Sequence, residues 1–249
     1  MSQQIVILAA GKGTRMGVDM PKVLLPLGDK PVVSHLLDAV KDVPQDTAPI
    51  IVVGFKKELV QETLGNKYIY VQQFDQKGTA HAVLSAKDVV TADNIIVLNG
   101  DMPFVSAEYL NKLIEMHNSV SDLGDPVMVS MCPCVLPSFD GKYSSFKDYG
   151  RIIRNSDGDI IKIQENKDCN EEEAKITEVN PGIYMFNSKW VWGQLEKIQT
   201  NNAQGEFYLT DIVELAIADN QKIQSLPIHP EEVYGINSPD QFEFAKTLI

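Results

Sequence analysis

The chain has 249 residues, 44% of them hydrophobic, and a net charge of −12, which is length enough for one large α/β domain or two small ones around a buried core. The acidic balance argues against a nucleic-acid partner, whose phosphate backbone the averaged field repels, and no apolar run approaches the roughly 18 residues that a membrane-spanning helix needs. Cys132, Cys134 and Cys169, an odd set without Cys-x2-Cys spacing, support neither a disulfide framework nor a structural zinc site; with no signal-type N-terminus, a soluble cytoplasmic protein is expected.

The apolar run at 4–9 predicts a first strand, and it feeds a glycine-rich loop containing Gly11, Gly13 and Gly17. Such a loop lets backbone N–H groups approach a polyanion closely, while Lys12, Arg15 and Lys22 supply positive charge. Within residues 1–30 the charge balance reverses, with Lys12, Arg15, Lys22 and Lys30 against Asp19 and Asp29. An acidic protein that concentrates cations on one loop points to a compact anion, the phosphates of a nucleotide. Neither common nucleotide fingerprint fits. Gly11-x-Gly13-x-x-Met16 lacks the third glycine of the dinucleotide pattern, the second strand runs into Gly54 rather than an acidic ribose ligand, and no Gly-x4-Gly-Lys-Ser/Thr occurs.

Downstream, a helix is predicted at 32–42 on the stripe Val32, Val33, Leu36, Leu37 and Val40. Then follow a strand at 50–54, a helix at 56–64, a strand at 68–72, a helix at 79–90 with Thr79 as N-cap, a strand at 94–99 and a helix at 106–118 capped by Ser106. After residue 125 the character changes: 127–134, 151–154, 160–164 and 177–186 read as longer strands, with Asn155-Ser-Asp-Gly158 as a hairpin turn. Cys132 and Cys134 share a strand face as free packing thiols, and 166–175 reads as an exposed acidic loop. Helices near 188–198, 209–219 and 239–248 close the chain, without internal repeats or low-complexity tracts. The alternation predicts one doubly wound, Rossmann-like α/β domain over 1–249 with a mixed, mostly parallel sheet. Ligands of such sheets bind outside the carboxyl ends of strands, and Gly11 and Asp101 both fall just past predicted strand ends.

Some residues carry more than one reading by themselves. Asp101, after the run Ile95–Leu98, offers a hard oxygen that suits magnesium, and equally well a loop aspartate that caps the next turn. Asn237, in Asn-Ser-Pro-Asp, reads by itself as a turn into a helix with Ser238 as N-cap and Pro239 at the first position. His81 reads as a packing histidine, and His35, His117 and His229 share no motif.

Leu8-Ala-Ala-Gly-x-Gly-Thr-Arg-Met16 followed by Pro21-Lys22-Val23-Leu24 resembles the signature of sugar-1-phosphate nucleotidylyltransferases, and most closely their N-acetylglucosamine-1-phosphate uridylyltransferase domains. The likeness recurs in order through Gln73-x4-Gly78-Thr79-Ala80-His81-Ala82, Gly100-Asp101-x-Pro103, Tyr149-Gly150-Arg151-Ile152, Glu165-x-Lys167-Asp168, Asn202-Ala-Gln-Gly-Glu206-x-Tyr208-x-Thr210-Asp211 and Gly235-x-Asn237, covering nearly the whole chain. It implies a nucleotidylyltransferase-type fold, with a nucleotide-binding half of about 1–125 and a sugar-binding half of about 126–249. It further implies that Leu8, Ala9, Ala10, Gly11 and Gly13, with Gln73, Gly78 and Thr79, hold the nucleotide. Gly150, Glu165 and Asn180 would contact the sugar, and Asp101 and Asn237 would bind magnesium. Arg15 would take the departing triphosphate tail and Lys22 the attacking and transferred phosphates.

The implied reaction passes UMP from UTP to N-acetylglucosamine-1-phosphate, giving UDP-N-acetylglucosamine, a cell-envelope precursor, and pyrophosphate. UTP and the sugar phosphate would be the only partners, with no membrane or nucleic acid. Two departures fall near the expected sugar pocket: Asn99 stands where many members carry an aromatic residue, and Pro181 where a threonine is usual. They bear on the choice of N-acetylglucosamine over glucose more than on uridylyl transfer; within the enzyme class the nearest alternative is a nucleotidylyltransferase using glucose-1-phosphate or dTTP. The acetyltransferase hexapeptide repeats of bifunctional members are not found, so one of the two reactions is expected. Readings from other classes are a non-catalytic sugar-nucleotide sensor and a glycosyltransferase, whose Asp-x-Asp would be Asp157-Gly-Asp159 in the predicted hairpin.

Overall fold

Strand β1 (Gln3–Ala9) carries Ile5, Val6 and Ile7 without exposed surface, because a strand inside a parallel sheet is covered on both faces and needs apolar residues at successive positions. The same logic holds for the strands Ile50–Val53 and Asn94–Asn99. The computed structural model describes residues 1–119 and 126–249, and the expected boundary near 125 lies outside them. In chain order, β1 is followed by a two-residue hairpin of β2 (Pro26–Leu27) and β3 (Lys30–Pro31), then α1 (Val32–Lys41), β4 (Ile50–Val53), α2 (Lys57–Leu64), β5 (Ile69–Gln72), α3 (Thr79–Leu84), β6 (Asn94–Asn99) and α4 (Ala107–Asn118). The rest comprises β7 (Val129–Met131), β8 (Cys134–Val135), β9 (Gly150–Arg154), β10 (Ile160–Gln164), β11 (Glu178–Asn180), β12 (Tyr184–Asn187), α5 (Ser188–Leu195), α6 (Ile212–Ala218), β13 (Ile223–Ser225) and α7 (Pro239–Ala245).

The main sheet has the order β13-β7-β12-β6-β1-β4-β5, and only β12 runs against its neighbours, so the sheet is mixed and mostly parallel as predicted. Side-chain alternation divides its core in two. Ile5, Ile7, Ile51, Ile96 and Leu98 face the cluster under α1 and α4, while Val6, Ile50, Val52, Ile95 and Val97 face the one under α3, α5 and α6. From β1 the chain winds outward to β4 and β5, then returns to place β6 on the other side of β1. That reversal opens a crevice at the carboxyl ends of β1 and β6. A second, antiparallel sheet of order β10-β9-β11-β8 stands beside it.

Several expected elements come out differently. The helix expected at 79–90 ends at Leu84, where Ser85 turns its hydroxyl back on the His81 carbonyl at 2.9 Å, and resumes only as a 3-10 turn at Lys87–Val89. Its N-cap is Gly78 rather than Thr79, because residue 78 adopts φ +113°, a conformation that favours glycine. The strand expected over 177–186 divides into β11 and β12, which belong to different sheets. Pro181, without an N–H, and Gly182 at φ +85° make the break. Pro133 interrupts 127–134 in the same way, leaving β7 and β8, with Cys132 and Cys134 both buried and free. The β2–β3 hairpin and β13 were too short to show a period.

Candidate active site

Three segments far apart in sequence meet at the β1–β6 crevice. Asp101 leaves the carboxyl end of β6, Lys22 lies in the 3-10 turn Lys22–Leu24, and Asn237 precedes α7. The Lys22 ammonium donates to Asp101 Oδ2 and, at 2.5 Å, to Asn237 Oδ1. Asp101 is only 8% exposed, so this ion pair is largely shielded from water. Asn237 is fixed through the backbone: Ile236 N donates to the Asp101 carbonyl at 3.0 Å, and Asn237 N to Gln241 Oε1 at 2.6 Å.

Two cavities open from this point. One, of about 300 Å³, is lined by Ala10, Gly11, Gln73, Gln76, Gly78 and Thr79, residues that sequence analysis mostly assigned to a nucleotide. The other, of about 290 Å³, is lined by Gly150, Glu165, Asn180, Tyr184, Thr210 and Asn237, among them the three expected sugar contacts. Leu8, Lys22, Thr79, Asn99 and Asp101 line both, so the two form lobes of one cleft.

In the first lobe, Gln73 is buried at the exit of β5, and its Nε2 donates to the Gly78 carbonyl at 3.1 Å and lies 3.1 Å from His81 Nδ1. The amide is thereby oriented with acceptor capacity on Oε1 remaining. Gln76, absent from the expected site, donates to the Ala10 carbonyl at 2.6 Å; its position between Gln73 and Gly78 was the available signal. Gly78 is held by the returning chain. A Cβ there would lie 2.5 Å from the Phe207 carbonyl oxygen, which accepts from Ala80 N, and the Thr79 hydroxyl accepts from Leu209 N at 3.1 Å. The segment 202–211 therefore walls both lobes, although only its motif, not its residues, entered the expected site.

In the second lobe, the Thr210 hydroxyl donates to Glu165 Oε1 at 3.0 Å. Burial pushes the Glu165 carboxyl above its usual range, Thr210 opposes this, and the charges of Asp211, Asp168 and Glu206 add to it. Asp211 is pushed up to about 6, mainly by burial. Asn180 donates to the Tyr184 hydroxyl at 2.8 Å and accepts from Gly182 N at 3.2 Å. Asn99 donates to the Pro181 carbonyl at 3.1 Å, so the two residues that depart from the family pattern touch each other. Arg151, 2% exposed, staples this wall from behind: it donates to the carbonyls of Lys147 and Tyr149 and to Asn166 Oδ1, and lies 4.7 Å over the Phe139 ring.

The remaining expected residues do not line the cleft. Ala9 is buried at the end of β1. Gly13, at φ +61°, lies behind Lys22, where a Cβ would come within 2.9 Å of the Lys22 Cβ. Arg15 is paired with Asp148 at 2.9 Å, and the two side chains are 63% and 58% exposed. Asp157 and Asp159 sit in the β9–β10 hairpin, where their N–H groups donate to Asn155 Oδ1, and neither lines the cleft.

Asp101 Oδ2 and Asn237 Oδ1 converge on one cation, the Lys22 ammonium, and a carboxylate plus an amide oxygen is a hard donor set. Among the described residues no group of three or more His, Cys, Asp and Glu is arranged to hold a metal alone. The pair therefore fits an ion such as magnesium, which takes one or two protein oxygens and fills its other positions from phosphates and water.

A family model described as a MobA-like NTP transferase domain matches residues 5–168. The bifunctional protein GlmU of Desulfotalea psychrophila is 37% identical over 94% of this chain and 66% of its own length. That of Syntrophomonas wolfei is 38% identical over 100% of this chain and 53% of its own. The chain thus spans about half to two thirds of these relatives. In fold, it superposes on a UDP-glucose pyrophosphorylase complexed with UDP-glucose with a TM-score of 0.79 at 18% identity, over 100% of this chain and 98% of the other.

Proposed function

Because the chain belongs to the MobA-like NTP transferase family and to the sugar-1-phosphate nucleotidylyltransferases, we propose that it transfers UMP from UTP to N-acetylglucosamine-1-phosphate, releasing pyrophosphate. The observation that carries this reading is the two-lobed cleft in which Lys22 and Asp101 line both lobes and Asn237, bonded to Lys22, lines the second. A nucleotide in one lobe and a sugar phosphate in the other would bring their phosphates together over Lys22 and Asp101.

In this reading a phosphate oxygen of the sugar-1-phosphate attacks the α-phosphorus of UTP, and the bond to the leaving pyrophosphate breaks. A phosphate monoester has its second pKa near 6, so the nucleophile is already a dianion at neutral pH and no general base is required. The remaining obstacle is repulsion between two polyanions, which positioned cations offset. Asp101 and Asn237 would hold magnesium, which supplies further positive charge to the phosphates. With those two oxygens occupied, the Lys22 ammonium would turn to the attacking and transferred phosphates. Arg15, tied only to an exposed aspartate, is free to swing onto the departing tail. Gln73 Oε1 and the backbone around Gly78 would read the uracil edge. Gly150, Glu165 and Asn180 would bind sugar hydroxyls and the acetamido group.

The test is pyrophosphate release across a panel of nucleoside triphosphates and sugar-1-phosphates. UTP with N-acetylglucosamine-1-phosphate should give the highest kcat/KM. Preference for glucose-1-phosphate would overturn the sugar assignment alone, and no turnover of any sugar phosphate would overturn the reaction.

A further inference from the structure

Tyr149 lines the second lobe together with Asp101 and Asn237, whose oxygens are assigned to the metal. Its backbone borders Gly150 in the lobe wall, with its carbonyl held by the buried Arg151 and its ring 5.0 Å from that of Phe146. Its hydroxyl reaches the other way. It donates to the Val233 carbonyl at 2.8 Å and accepts from Gly235 N at 3.0 Å, closing the segment that delivers Asn237. No side chain fits between them, since a Cβ on Gly235 would lie 2.8 Å from the hydroxyl oxygen and 3.4 Å from Asn237 Nδ2. Burial first, then the charge of Asp101, pushes the phenol well above its ordinary range, so it stays a neutral donor at working pH.

We propose that Tyr149 is a positioning residue: its hydroxyl sets Asn237 opposite Asp101 and ties the sugar wall to the metal pair. This rests on the reading of Asp101 and Asn237 as magnesium ligands. Ile236 anchors the same segment to the Asp101 carbonyl and Gln241 holds Asn237 N, while the Tyr149 bridge fixes the chain two residues before Asn237, so losing the bridge removes one of the three ties that set Asn237 Oδ1. The segment stays folded but presents its oxygen less often in register.

The experiment is calorimetric titration of UTP into the full chain, once with magnesium and once with EDTA. The ratio of the two Kd values gives the metal-dependent gain. In Tyr149→Phe that gain should fall roughly three- to tenfold, about the effect of one lost hydrogen bond, while the EDTA value stays unchanged. Gly235→Ala, which pushes the hydroxyl away from the same bridge, should do the same and serves if Tyr149→Phe does not fold. In the Asn237→Ala background, Tyr149→Phe should cost nothing further. If Asn237→Ala loses the gain but Tyr149→Phe keeps it, or if the two losses multiply, the positioning role is wrong and the metal pair stands. If Asn237→Ala keeps the full gain, the metal assignment fails and this inference with it.

Discussion

Lys22 is the residue on which the cleft turns, because it lines both lobes and its ammonium donates to both candidate metal oxygens. Removing it takes away the ammonium paired with the buried Asp101 carboxylate and, in the proposed reaction, the positive charge that would meet the attacking and transferred phosphates. Lys22→Ala should therefore lower kcat/KM by on the order of a hundredfold or more, and steady-state pyrophosphate release within twofold of wild type would overturn its role. Arg15 differs in kind. An exposed pair such as Arg15–Asp148 contributes about 0–1 kcal/mol, too little to hold the guanidinium against a triphosphate. The Asn99 amide supports the backbone carbonyl of Pro181, so exchanging Asn99 for the aromatic residue usual in the family would break that tie, whereas a threonine at 181 keeps the accepting carbonyl.

At the scale of elements, capping decides where helices begin beside the cleft. Ser106 caps α4, accepting from Tyr109 N at 3.2 Å, and both its N–H and its hydroxyl are drawn to Glu232 Oε2. Helix α4 thus starts on a residue that also anchors the loop leading to Asn237. Ser106→Ala should cost about 1–2 kcal/mol in urea unfolding, and a midpoint equal to wild type would show the cap to be idle. Helix α3 begins instead at Gly78, where the approach of the Phe207 carbonyl excludes any side chain. There the start of the helix was settled by a strand of chain about 130 residues away in sequence, as the Leu209-to-Thr79 bond records.

Across the whole molecule, one buried histidine links helix to sheet and makes stability depend on pH. His117 of α4 sits against Ser130 of β7 at 2.8 Å, and burial lowers its pKa from 6.5 to about 4. The unfolded chain takes up that proton below about 6.5, while the folded one resists until about 4. Its contribution is thus complete above 6.5 and is lost as pH falls through that window, ~3 kcal/mol at most. His117→Gln should flatten the decline of unfolding free energy between pH 7 and pH 4.5. An unchanged slope in urea melts at successive pH values would place the acid sensitivity elsewhere.

The doubly wound sheet was legible in the chain because buried parallel strands announce themselves as continuous apolar runs: Ile5–Leu8, Ile50–Val53 and Ile95–Leu98 needed no partner to be recognised. The glycine-rich loop with its cations was equally local, as was the carboxylate after β6, so the expectation of an anion site at the strand ends could be drawn from sequence alone. What sequence could not reach is whatever depends on a second segment. Thr79 looked like a cap until the Phe207 carbonyl demanded glycine geometry one residue earlier, and Thr177–Phe186 looked continuous until Pro181 and Gly182 sent its halves to different sheets. Asn237, by itself a turn residue, became an acceptor for the Lys22 ammonium only when folding brought the two together, and the Tyr149 hydroxyl met Val233 and Gly235 only in the same way. Periodicity and turn chemistry are written along the chain, whereas which side chains share a cation is fixed by packing between residues 79 and 215 positions apart, and only the tertiary structure decides that.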